Sequence, residues 1–126
     1  MCLYIDDRRT RELKQKFKSN KSITCYKVLN TNCTSNIFGC KYHTGWNYSS
    51  RGWQHIELTE EEKESQRINY GIHVFVSQQS AERYRAYYEI IVPVTCYKND
   101  LVSGGKRGHA VFTKVFLKKR NYKPCV

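Results

Sequence analysis

Four stretches rich in β-branched and aromatic residues, 22–29, 72–76, 88–97 and 109–117, commit this chain to a β-sheet. Residues 1–5 add a short fifth candidate. Between them lie helical patterns. Residues 7–18 read as a helix capped by Asp6 or Asp7, with only Leu13 and Phe17, four apart, as an apolar stripe. Residues 59–69 open on a Thr59-x-x-Glu62 capping box followed by acids suited to a helix N-terminus. Residues 78–87 follow Ser77, a natural cap, and place Ala81, Tyr84 and Tyr88 on one face. The expected fold class is therefore α+β: one small domain over 1–126, mainly an antiparallel sheet of four or five strands with two or three helices, and a basic tail at 118–126. Pro93 lies inside the most apolar strand, which predicts an edge position or a bulge.

The charge balance bears on partners. Lys and Arg number 22 against 11 Asp and Glu, a formal +11 on 126 residues. So large a surplus costs self-repulsion and suits an acidic partner: nucleic acid, a nucleotide, an acidic protein surface or an anionic membrane. No run of 18 apolar residues exists and no signal-peptide pattern opens the chain, so a cytoplasmic protein is expected, with no membrane partner. In that compartment the six cysteines read as reduced thiols, mostly packed in the core. For the same reason the three Asn-x-Ser/Thr sequons, at Asn20, Asn32 and Asn47, carry no weight.

Residues 30–57 lack a clear period yet hold both tryptophans. Within them, 41–55 interleaves Tyr42, Trp46, Tyr48 and Trp53 with Lys41, His43, Arg51 and His55. Flat rings stack on bases and nearby cations meet phosphates, so Tyr42, Trp46, Tyr48, Arg51 and Trp53 are candidate ligand-binding residues. The alternative is that the tryptophans close over the core. The loop Ser103-Gly104-Gly105-Lys106-Arg107-Gly108-His109 is a second candidate. Successive amides in a glycine-rich turn can form an anion nest, with Lys106 and Arg107 adding charge. It is equally readable as a hairpin turn. It lacks the pattern of a phosphate-binding P-loop.

Other constellations are thinner. Cys33, Cys40 and His43, with Cys25 or His55 as a fourth, have the donor types for zinc but not a zinc-knuckle spacing, so no metal is expected. Cys2 would be an N-terminal thiol if Met1 were removed, but Leu3 follows where such nucleophiles have glycine. No catalytic residue and no cofactor are assigned. The tetrapeptide Thr-Cys-Tyr-Lys occurs at 24–27 and 95–98, too short to be a repeat.

Two resemblances add expectations. The Met-Cys-Leu start, the Ile23-Thr-Cys-Tyr-Lys-Val-Leu29 strand and the Gly71-Ile-His-Val-Phe75 strand resemble small uncharacterised phage-encoded proteins. That resemblance implies an accessory or host-directed role, including counter-defence, in the host cytosol. The Gly71–Phe75 string followed by Ser77, Ala81 and Tyr84 and then the strand Tyr88–Val94 is similar to ADP-ribosyltransferase-like domains. It implies that Tyr26 and Lys27 sit on the first nicotinamide-pocket strand with His73 and Phe75 nearby; Lys27 stands where that family often has Arg or His, and no catalytic Glu matches. The combined reading is a small basic protein that binds a nucleotide or nucleic acid. An inhibitor of an acidic host protein is the alternative, and an ADP-ribosyltransferase-like enzyme the second.

Overall fold

A computed structural model describes residues 3–34, 41–49, 51 and 56–119. Cys2, Cys40, Trp53, His55 and the tail from Arg120 onward lie outside the described residues. In chain order the elements are β1 (Leu3–Tyr4), α1 (Asp7–Ser19), β2 (Ser22–Leu29), β3 (Gly45–Tyr48), α2 (Glu60–Ser65), β4 (Arg67–Ile68), β5 (Ile72–Phe75), α3 (Gln78–Tyr84), β6 (Ile90–Tyr97), β7 (Leu101–Gly104), β8 (His109–Phe112) and β9 (Lys114–Leu117). A seven-stranded sheet runs β3-β9-β6-β2-β5-β8-β7, every neighbouring pair antiparallel, and β1 and β4 form a separate two-stranded pair. The α+β class holds, with more strands than the expected four or five.

The extra strands have identifiable origins. The 109–117 run breaks into β8 and β9 at Thr113, whose N–H donates to the Asp100 carbonyl. The 98–108 loop hides β7, and the aperiodic 30–57 stretch hides β3. Two helices are shorter than their patterns. α2 stops when Gln66 turns left-handed, at φ 56°, and residues 67–68 become strand. α3 stops at Tyr84, so Tyr88 lies in the following turn and not on the helix face. The caps are as read: Asp6 accepts from the Arg8 and Arg9 N–H groups, Thr59 and Glu62 complete a capping box, and Ser77 accepts from the Ser80 N–H. β6 is an interior strand rather than an edge, but β9 pairs it at Thr95, and at Pro93 only β2 lies in register. The proline therefore falls where the strand has a neighbour on one side.

Register sorts the sheet into two faces, because opposed residues and residues two apart share a side. The back face carries Cys25, Leu29, Val74, Val92, Val94, Phe112, Val115 and Leu117, and α1 seals it with Leu13 and Phe17. Phe17 meets Phe112 edge to face at 6.3 Å. The front face is covered in parts. The β1–β4 pair lays Leu3 and Ile68 on Val111, and α3 lays Ala81 on Val28 and Phe75. α3 packs mainly on β2, β5 and β6, and α1 on β7 and β2. The front of β3 and β9, with the adjoining ends of β6 and β2, thus has no described helix as its main cover.

The thiols do not all follow expectation. Cys25 and Cys96 are free and buried, but Cys33 is disulfide-bonded. A Cys33 sulfur held in a disulfide cannot serve as a thiolate ligand. No group of three metal-ligating side chains occurs among the described residues. Among the described residues no helix is long and apolar enough to cross a membrane.

Candidate functional site: an aromatic platform on the sheet

The part of the front face that no described helix covers is built by alternation on three strands. β3 places Trp46 and Tyr48 on one side while Asn47 turns inward and is buried. The Asn47 amide then fixes the approach to the strand: its Nδ2 donates to the His43 and Gly45 carbonyls and its Oδ1 accepts from the His43 N–H. Trp46 opposes Phe116, which in turn opposes Thr95, and Thr95 opposes Thr24. The two Thr-Cys-Tyr-Lys segments therefore lie on paired strands with their threonines opposed.

The rings touch. Trp46 meets Phe116 at 5.3 Å nearly edge-on and Tyr97 at 5.5 Å in a tilted contact. Both are within the range of favourable aromatic pairs. The Lys114 ammonium stands 4.5 Å over the Trp46 ring centroid, a cation–π distance. Trp46, Tyr97, Lys114 and Phe116 are each half-buried, and Tyr48 is 59% exposed. Below this layer, Asp100 is buried; burial pushes its carboxyl up and the Lys114 charge pulls it down.

Of the described residues singled out in the sequence, Trp46, half-buried, and Tyr48, exposed, are the two that share this face. Tyr42 is buried in the back-face core, with the Lys27 Nζ 5.7 Å from its ring centroid. Arg51 forms a bidentate pair with Glu62, Nη1 to Oε2 at 2.6 Å and Nη2 to Oε1 at 2.7 Å, and donates to the Glu57 carbonyl. Only 6% of its side chain is accessible, so Arg51 is a buried clasp rather than a phosphate contact. Burial pushes the Glu62 carboxyl up, yet Arg51 and the Thr59 N–H together hold it below the usual range. The surface hollow beside this pair, about 550 Å³, is lined by Glu57, Glu61 and Glu62 as well as Arg51 and Arg67. Three carboxylates make it a poor seat for an anion.

The glycine loop is also committed internally. The Gly104 N–H donates to Thr10 Oγ1 and the Gly105 N–H to the His109 carbonyl. A Cβ on Gly104 would lie 3.1 Å from the Thr10 backbone, and one on Gly105 would lie 2.5 Å from Leu3 Cγ. The pair lets α1 and β1 approach the sheet edge; it is not an anion nest. Lys106 and Arg107 are exposed on the β7–β8 turn. That turn belongs to the far edge of the sheet, five to six strand spacings from β3, or about 24–29 Å. The described part of the aromatic segment and this turn therefore lie at opposite edges of the sheet and are not adjacent.

Lys27 and His73, the residues implied by the ADP-ribosyltransferase resemblance, are both buried. Lys27 Nζ donates to the His73 carbonyl at 2.8 Å, and the His73 ring nitrogens lie 3.1 and 3.2 Å from the Ile68 and Gly71 carbonyls. Sequence reasoning missed Tyr97, Lys114 and Phe116. Their signal was the alternation Lys114-x-Phe116 in a strand already recognised, but nothing in one strand tells which neighbour it will lie beside. Compared with protein families, curated proteins and solved structures, the chain matches none.

Proposed function

We propose that this chain is a small basic protein that binds a single-stranded nucleic acid, with bases stacked on the Trp46–Phe116–Tyr97 platform and phosphates met by nearby cations. The observation that carries the reading is a half-exposed aromatic cluster on a sheet face that no described helix covers, with a lysine over its tryptophan, in a chain of net charge +11. Sheet-borne rings accept any base, because every base has a π face, and cations follow the backbone. A base entering over Trp46 displaces the Lys114 ammonium, which then lies within reach of the attached phosphate. Lys118 and Lys119, exposed just past β9, extend the positive rim. A phage origin and a counter-defence role, drawn from the sequence resemblance, fit a protein that sequesters a nucleic acid or a nucleotide in a host cytosol.

The test is an anisotropy titration of fluorescein-labelled oligothymidylate at 50 and 200 mM salt. With about four phosphate contacts, affinity falls roughly fifty-fold between those conditions. Trp46→Ala and Phe116→Ala each weaken binding about tenfold, the scale of one lost stacking contact. Tyr48→Ala, at an exposed site, gives the same readout without a folding risk. Lys114→Gln lowers the salt slope by the share of one phosphate. Absence of binding at 50 mM salt, or binding indifferent to all four substitutions, overturns the proposal.

A second reading is supported by α1, whose outward face carries Arg8, Arg9, Arg11, Lys14, Lys16 and Lys18 on the side of the sheet opposite the platform. There the chain would bind an acidic host protein, with charge speeding encounter. Capture of one protein from nuclease-treated lysate, lost on reversing three of these charges, distinguishes it.

A further inference from the structure

The turn between α3 and β6 displays aromatic rings that the core does not use. Tyr87 is 94% exposed and Tyr88 57%, whereas Tyr84, the last residue of α3, packs on Phe75 at 5.0 Å and on His109 at 5.9 Å. Free monomers do expose single apolar residues, but two adjacent tyrosines in contact on one turn make a patch. The turn that carries them is braced. Glu89 is buried, and its Oε1 accepts from the Ala86 N–H at 2.7 Å while its own N–H donates to the Ala86 carbonyl. Arg85 Nη1 donates to the Glu89 carbonyl, and Arg85 Nε pairs with Glu82 at 2.9 Å. Tyr87 and Tyr88 contact each other at 5.5 Å, edge to face. Rings held outward by a closed set of backbone bonds lose little freedom when a partner arrives, which is how pre-organised anchors gain affinity.

Position connects this turn to the platform. α3 lies on the front face, and the turn descends from it into the start of β6; the platform occupies the other end of the same strand, at Thr95 and Tyr97. From Ile90, two residues past Tyr88, to Thr95 the strand spans about 17 Å. Lys118 follows β9 directly, two residues past Phe116, and is exposed. Arg83, exposed on α3, adds a cation at the far end.

We infer that Tyr87 and Tyr88 form a second stacking station for the same single strand, so that one nucleic acid crosses the front face from Trp46 past Lys118 to the Tyr87–Tyr88 turn. This rests on the reading of the platform as a single-strand site. That strand length of about 17 Å corresponds to roughly five nucleotides at the 3.4 Å per-strand rise of a stacked helix. Shorter strands reach the platform alone; longer ones reach both stations.

The experiment is a length series. Oligothymidylates of 4, 8, 12 and 16 nucleotides are titrated against the wild-type chain and Tyr87→Ala/Tyr88→Ala at one low salt concentration. In the wild type, affinity rises by about tenfold or more between 4 and 8 nucleotides, and in the double variant that rise is lost while tetranucleotide binding is unchanged. A double variant that follows the wild type at every length overturns the second station and leaves the platform intact. Failure of the wild type to bind any length overturns the platform reading and this inference with it. Retained oligonucleotide binding by the double variant, with loss of a captured host protein, assigns the turn to protein docking and refutes the inference.

Discussion

Acidification from pH 7 to pH 5 destabilises this fold through His73. The ring is buried on the front face, with its two nitrogens near the Ile68 and Gly71 carbonyls. Burial, above all, pushes its pKa down from 6.5 to about 4; the two carbonyls pull it up, and the Lys27 charge pushes it further down. The unfolded chain therefore binds a proton that the folded chain refuses. Stability from this ring is complete above pH 6.5 and is lost as the pH falls toward 4. Between pH 7 and pH 5 the loss amounts to about 2 kcal/mol. His109, half-buried and also pushed down to about 4 by burial and then by Arg107, acts in the same direction with a smaller share. The assay is urea unfolding followed by tryptophan fluorescence at pH 7, 6 and 5, for wild type and His73→Gln. The glutamine cannot titrate, so its stability falls less over the same interval, by about 2 kcal/mol. Equal pH slopes for the two proteins would refute the argument, whatever the glutamine costs at pH 7.

Arg51→Met leaves the Glu62 carboxylate buried without its bidentate partner, which costs about 3–5 kcal/mol; urea midpoints check this, and Arg51→Met/Glu62→Leu recovers much of the loss if the pair is a structural clasp. Gly105→Ala drives a methyl group into Leu3 Cγ and the Tyr4 carbonyl; a loss of about 1–3 kcal/mol is expected, read as a lower melting temperature. A Gly105→Ala protein as stable as wild type would show that β1 can withdraw from the sheet edge.

The platform and the basic surfaces stand in a definite relation. α1 seals the back of the sheet and turns its cations outward, while the rings lie on the front. Five of the eleven acids, at 57, 60, 61, 62 and 64, gather around α2. The net charge of +11 is thus unevenly spread. Segment 57–64 holds these five acids and one lysine, a net of −4, so the remaining residues carry +15. An anionic partner is steered away from that end and toward the strands and α1.

What local chemistry sets was legible in the chain. Asp6, Thr59 with Glu62, and Ser77 start the helices where they should, because a cap needs only its own next three amides. The apolar runs at 22–29, 72–76 and 88–97 are strands to within two residues, because β-branched and aromatic side chains suit a pleated surface. Trp46 and Tyr48 stood out by composition alone. Pairing decided the rest. β3 is a four-residue strand without a sequence period of its own, and it exists because β9 offers it a ladder. The same nonlocal pairing set Phe116 and Tyr97 beside Trp46, carried Lys106 and Arg107 to the opposite edge, and buried Tyr42 against the back-face core. Arg51 became a clasp because Glu62, eleven residues away, was brought into the same buried corner. Residue type names the chemistry a side chain can do; the neighbours it does it with are a property of strand order, which depends on contacts between segments far apart in the chain.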